Sequence, residues 1–237
     1  MKKIVITVLC ITAGISAFSQ AGSYAGNSHY DMYSRTIDLN QKSLAFGLTE
    51  AEFNVIKDEA YLNPNFISGN IYQVDKLIKD NVPMRYNAFA DEIEIKKNNF
   101  DENYSALVQD PNIFVKMGND LFHFVPFEGS NEKGGYFNVL IDGQTYDLYK
   151  KTTAIFREPQ KAKTSYERDL PPSFVKTTTY YLVHNGTFLE MPSSKSKVLK
   201  MMDKKSDEIK SYIKKNNIDI DKEADMIALV SYFDSLL

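Results

Sequence analysis

Carboxylates, a guanidinium and imidazoles are the side chains of this sequence whose spacing suggests chemistry. Asp91, Glu92 and Glu94 crowd into one short run. Two carboxylates can share acid and base work on a sugar polymer, and they need no local motif because the partners come from different strands. These three are the first to examine for a hydrolase. Arg85 and Glu94 form a second pattern. Residues 82–87 and 92–97 both alternate, and a loop at 88–91 sets Asn87 against Glu92, Tyr86 against Ile93, Arg85 against Glu94 and Met84 against Ile95. A slip of one residue would set Tyr86 against a carboxylate. Pro83 donates no hydrogen bond, so its nitrogen must face an edge or a bulge. An exposed Arg85–Glu94 pair is structural, stabilising by roughly 0.2–1 kcal/mol. In a closed concavity it would orient an anionic ligand, so both are candidate ligand-binding residues.

The histidines, His29, His123 and His184, are dispersed and lack the close spacing of a zinc site. His123 alternates with Phe122 and Phe124, so it looks away from the apolar face. It is the third ligand-binding candidate, on the surface or on a concave face. Asn217, Asp219, Asp221, Glu223 and Asp225 resemble a calcium loop. Lys222 stands where that loop needs glycine, and Ala228 where it needs a bidentate glutamate. The plainer reading is acids at the start of a helix, where the dipole favours them. Residues 129–135 are glycine-rich without the ending of a phosphate loop, and neither Gly-x-Ser-x-Gly nor His-Glu-x-x-His occurs. No catalytic residue, metal or cofactor is assigned.

These groups must be placed by a chain whose beginning reads as an address. Lys2 and Lys3 precede an uncharged, mostly apolar run at residues 4–16, and Ala17-Phe18-Ser19 ends in small residues. That is the pattern of a secretory signal peptide, residues 1–19, cut between Ser19 and Gln20. The run is shorter than the roughly 20 apolar residues that span a bilayer. The mature chain is therefore expected to have no transmembrane segment and to be periplasmic or secreted. Leu9 before Cys10 argues against lipidation. Cys10 is the single cysteine, so the mature chain is expected to have no disulfide and no thiolate. Basic residues number 28 and acidic residues 31, so losing Lys2 and Lys3 deepens the negative charge and no nucleic-acid partner is expected. With 43% apolar and 25% charged among 237 residues, the composition excludes a disordered polymer, a collagen and a multi-span membrane protein.

The expected fold is α+β: mainly an antiparallel β meander, either an open curled sheet or barrel-like, followed by a C-terminal three-helix segment. Residues 20–48 read as a poorly ordered N-terminal segment with one strand near 33–39, residues 49–192 as the β domain, and 193–237 as helices packed on it. Thr49-Glu50-Ala51-Glu52 fits a capping box, with Phe53, Ile56 and Ala60 following at helical spacing, although an extended run is equally open. Gly118-Asn119, Asp142-Gly143 and Asn185-Gly186 are hairpin turns. They pair Val115 with Phe122, Phe137 with Leu148, Val139 with Tyr146, and Leu182 with Leu189. Residues 157–174, charged and flanked by prolines, read as a crossover or loop. After Pro192 the period becomes helical, and Ile209, Ile213, Ile227, Val230 and Phe233 should be buried while the lysines stay exposed. Residues 195–215 are lysine-rich and 216–237 acidic, so the plain reading is a solvated face or two adjoining helices of opposite sign that neutralise each other. The absence of tryptophan weakens a sugar-binding platform, leaving most aromatics to core and cross-strand packing.

The exported N-terminus, residues 81–87, the run 139–143 followed by Leu148-Tyr149-Lys150-Lys151, the Tyr180-Tyr181-Leu182 hairpin and the lysine-rich helical end together resemble a group of exported Bacteroidota-type proteins of unassigned function. The resemblance spans residues 60 to 237. It implies an envelope or secreted location and lends no site residues. The leading expectation is a non-catalytic binding or scaffold protein whose partner is an envelope protein or small ligand. The alternative is a carboxylate-dependent hydrolase acting on an envelope polymer.

Overall fold

The computed structural model describes residues 28–36, 46–126 and 134–237. The expected signal peptide, the rest of the N-terminal segment and most of the glycine-rich run fall outside them. Before the sheet proper come α1 (Ser28–Tyr33), α2 (Glu50–Ile56) and a 3-10 turn at Lys57–Ala60. The capping box forms as its residues require: Thr49 accepts from the Glu52 amide, and Glu52 reaches back to the Thr49 amide. Of the strand expected near residues 33–39, the described part is the short β1 (Ser34–Arg35).

The strands are β2 (Ile67–Gln73), β3 (Lys76–Asn87), β4 (Glu92–Ile95), β5 (Ser105–Leu107), β6 (Ile113–Met117), β7 (Asp120–Val125), β8 (Gly135–Ile141), β9 (Asp147–Arg157), β10 (Ser173–His184) and β11 (Thr187–Glu190). They form one antiparallel sheet in the order β1-β5-β4-β3-β2-β6-β7-β8-β9-β10-β11, open at β1 and β11. The sheet nevertheless curls until the turn after β3 meets β9. The Ala154 amide donates to the Ala88 carbonyl at 3.0 Å, and the Tyr86 hydroxyl donates to the Thr152 carbonyl at 3.1 Å. Inside the curl lies a core that includes Ile71, Met84, Tyr86, Ile93, Val115, Phe122 and Tyr136.

The β3–β4 register pairs Asn87 with Glu92, Tyr86 with Ile93, Arg85 with Glu94 and Met84 with Ile95, as the alternation demands. Pro83 stands opposite Ser68 in regular register, and its carbonyl accepts the Lys96 amide at 2.9 Å just past the last β3–β4 pair, Met84–Ile95, so its nitrogen lies where that ladder ends. Val115 faces Phe122, and Leu182 faces Leu189 across a turn in which Asn185 and Gly186 both adopt positive φ.

One hairpin expectation is corrected. Val139 pairs with Tyr149 rather than Tyr146, and Leu148 faces Ile141 rather than Phe137. Asp142-Gly143 is not a two-residue turn because the last helix captures the loop: the Asp234 carboxylate accepts the amides of Gln144, Thr145 and Tyr146, each at 2.8 Å. Asp147 holds the Gly143 amide as well. Of the two readings of residues 157–174, the loop holds and the crossover does not. β9 and β10 pair directly from Arg157–Ser173 inward, and an isolated Gln160–Leu170 bridge continues the hairpin outward.

After Pro192 come α3 (Lys195–Met201), a 3-10 turn at Asp203–Lys205, α4 (Ser206–Lys215) and α5 (Glu223–Ser235). They cover one face of the β8–β10 region. Val198, Met202, Ile209, Leu229, Val230 and Phe233 pack on Leu148 and Leu182. Ile209, Ile213, Val230 and Phe233 are buried as the spacing requires; Ile227 is only half-buried, because Met226 and Leu229 take the inward positions. No helix of the described residues is long and apolar enough to cross a membrane.

Candidate functional site

Register places Arg85 and Glu94 side by side, and the chain before β2 covers them. Glu94 is 0% exposed. Arg85 Nε donates to Glu94 at 2.9 Å, and a terminal guanidinium nitrogen approaches the same oxygen at 2.8 Å. The guanidinium also donates to the Pro64 carbonyl at 2.8 Å and to the Tyr61 hydroxyl at 3.0 Å. Its carbon lies 3.9 Å from the Tyr61 ring centre and 4.3 Å from that of Phe66. Asn87 donates to the second Glu94 oxygen at 3.0 Å. Burial, with the Glu94 charge beside it, pushes the Tyr61 hydroxyl far above its ordinary range. Such a sealed, mutually satisfied pair resembles a structural clamp more than a ligand seat.

His123 is not part of that cluster. It stacks on Phe114 with ring centres 4.3 Å apart, and its Nε2 donates to the Pro111 carbonyl at 2.9 Å. Nδ1 is buried without a partner. Burial pulls the imidazole below its ordinary value, against the opposing effect of the Pro111 bond.

The three carboxylates of the 91–94 run diverge. Glu92 pairs with Arg35, Glu94 with Arg85, and Asp91 with Lys151 at 2.6 Å. Asp91 sits at positive φ at the end of the β3–β4 turn, which Asn87 fixes by accepting the Phe89 and Ala90 amides. One Asp91 oxygen accepts from the Tyr86 hydroxyl at 2.7 Å and from the Tyr136 amide at 3.1 Å. Lys151 Nζ also donates to the Tyr136 carbonyl at 3.0 Å. Burial lowers the Lys151 amine from its ordinary value, while Asp91 pulls the other way. Gly135 makes this closeness possible: a Cβ there would stand 1.8 Å from the Asp91 carboxylate and 2.4 Å from the Lys151 amine.

The ion pair floors a hollow of about 550 Å³. Antiparallel pairing fixes its wall. Tyr181 faces both Tyr149 and Glu190, and Phe188 lies two residues before Glu190, so these side chains share one sheet face. It is the opposite face from Leu148 and Leu182, which the helices cover. Phe137, Tyr181 and Phe188 meet there, with ring centres 5.1 Å apart for Phe137–Phe188, 5.8 Å for Phe137–Tyr181 and 6.0 Å for Tyr181–Phe188. Phe89 of the β3–β4 turn closes the other side, and Glu190 stands at the edge.

Of the residues singled out in the sequence, only Asp91 lines this hollow. Lys151, Phe137, Tyr181, Phe188 and Glu190 were missed. The Asn185-Gly186 register carried part of the signal, since Leu182 opposite Leu189 already sets Tyr181 against Glu190. Among the described residues no group of three His, Cys, Asp or Glu side chains is arranged to hold a metal ion. No known protein family, curated protein or solved structure matches the chain.

Proposed function

We propose that this is an exported, non-catalytic binding protein, periplasmic or secreted, of the Bacteroidota-type group it resembles, and that it seats a small ligand in the aromatic hollow. The observation that carries the reading is the meeting of Phe137, Tyr181 and Phe188 over the half-buried Asp91–Lys151 pair, on the sheet face opposite the helices. Concave sites walled by rings with a few fixed polar groups are the usual form of a small-molecule seat. The carboxylates of the 91–94 run support binding rather than two-carboxylate hydrolysis, because each is held by its own cation.

The test uses the chain beginning at Gln20 and the neutral fluorophore N-phenyl-1-naphthylamine. Saturable fluorescence enhancement is expected, weakened at least fivefold by Phe188→Ala and unchanged by Tyr166→Ala on the exposed β9–β10 loop. Enhancement indifferent to Phe188→Ala, or none at all, overturns the reading. The export arm is read separately, by finding whether the full chain made in a Gram-negative host acquires Gln20 as its N-terminus outside the cytoplasm.

A further inference from the structure

We infer that the hollow selects an organic cation, a ligand carrying a primary or methylated ammonium group; this deepens the binding reading above and rests on it. The charge balance of the described lining residues points that way. Their one cation, Lys151, is already matched by Asp91 at 2.6 Å and directed onto the Tyr136 carbonyl. Glu190 is a carboxylate with no cationic partner among the described residues, exposed at the edge and on the same sheet face as Tyr181 and Phe188. Among the described lining residues an anionic ligand would thus meet Asp91 and Glu190 without an unengaged ammonium to receive it. A cationic one would meet Glu190 and the negative faces of the rings.

The rings supply the second, independent observation. An aromatic face attracts a cation within about 6 Å of its centre, and clustered rings with a nearby carboxylate suit ammonium groups that cannot donate strong hydrogen bonds. Phe137 already hosts a cation in this manner: the Lys151 amine lies 4.9 Å from its ring centre. Tyr181 and Phe188 stand beside it, their ring planes inclined at 68° to each other, so they present differently directed faces. Phe89, 42% exposed on the facing turn, can complete the enclosure.

Calorimetric titration with choline and with its neutral isostere 3,3-dimethylbutan-1-ol separates charge from shape. Choline is expected to bind at least tenfold more tightly than the alcohol, and Glu190→Gln, a change at an exposed position, to bring the two within about twofold. Equal affinities, no choline binding, or a preference untouched by Glu190→Gln overturns the inference. The naphthylamine titration run alongside distinguishes the two failures. If that probe binds and choline does not, the seat stands and its cation selectivity falls; if neither binds, both fall.

Discussion

Deleting the Arg85 guanidinium while leaving Glu94 in place should be the most damaging single change. In Arg85→Met the Glu94 carboxylate, 0% exposed, loses its guanidinium while the neutral donors Asn87 at 3.0 Å and the Tyr61 hydroxyl at 3.3 Å remain. The Pro64 carbonyl loses its donor, and the Tyr61 and Phe66 rings lose a stacked cation. Breaking a buried pair from one side costs about 3–5 kcal/mol, because an uncompensated charge remains. The Arg85 side chain keeps 13% exposure, which admits some water and favours the lower end of that range. With a urea slope of about 2–3 kcal/mol/M, the unfolding midpoint should fall by about 1–2 M. Arg85→Met/Glu94→Leu removes both charges and should recover most of the loss. It should stay about 1–2 kcal/mol below the parent, because Asn87 and Tyr61 lose their acceptor. A single variant within about 0.3 M of the parent, or a double variant less stable than the single, would refute the assignment of a buried, mutually dependent pair.

Asp234→Asn should loosen the 142–147 loop, costing about 1.5–3 kcal/mol through weakened charge-assisted bonds, and faster hydrogen exchange at the Gln144, Thr145 and Tyr146 amides is the readout. Burial raises the Asp234 carboxyl and those three backbone bonds more than offset it, so the net shift is downward. Its contribution is therefore complete above the ordinary aspartate range and lost as pH falls through the depressed folded value, an acid-dependent component that Asp234→Asn should remove from the stability profile. Gly135→Ala places a side chain at φ +144° and drives a methyl into the Asp91–Lys151 pair; at about 2 kcal/mol the melting temperature should drop by roughly 4–8 °C, and an unchanged value would remove the glycine's role. Thr49→Ala should cost about 1 kcal/mol by removing the α2 cap, measured by the same melting experiment.

The parts of the molecule that were legible in the sequence are those fixed by short-range rules. The hairpin of β3 and β4 followed from alternation on both sides of a four-residue loop, and the Asn185-Gly186 hairpin from a dipeptide that tolerates two positive φ values. The capping box was legible for the same reason: its donors and acceptors lie within one helical turn. Where a distant residue intervened, the local reading failed. Asp142-Gly143 carries a strong hairpin signal, yet Asp234, some ninety positions later in the chain, captures the next three amides and pulls the turn open into a loop. Of the two readings of the last helices, the lysine face is solvated rather than neutralised by its neighbour. Glu223 goes to Lys150 and Tyr180 on the sheet and Asp234 to the loop, while Lys205 pairs with Glu208 on its own helix.

The hollow illustrates the same limit at the level of function. Its members come from the β3–β4 turn, β8, β9, β10 and β11, and no window of sequence holds more than three of them. Two facts of the fold bring them together. The C-terminal helices claim the face of Leu148 and Leu182, which leaves Phe137, Tyr181 and Phe188 on the other side by the period-two rule. The curl then carries the β3–β4 turn across to β9, where Ala88 binds the Ala154 amide and Asp91 reaches Lys151. Gly135 is the one residue whose type records this meeting, because its missing side chain is needed only once the Asp91–Lys151 pair has arrived beside it. A glycine met in the sequence as part of a glycine-rich run thus has a second, tertiary reason, and the shape of the hollow depends on that closeness as much as on the rings themselves.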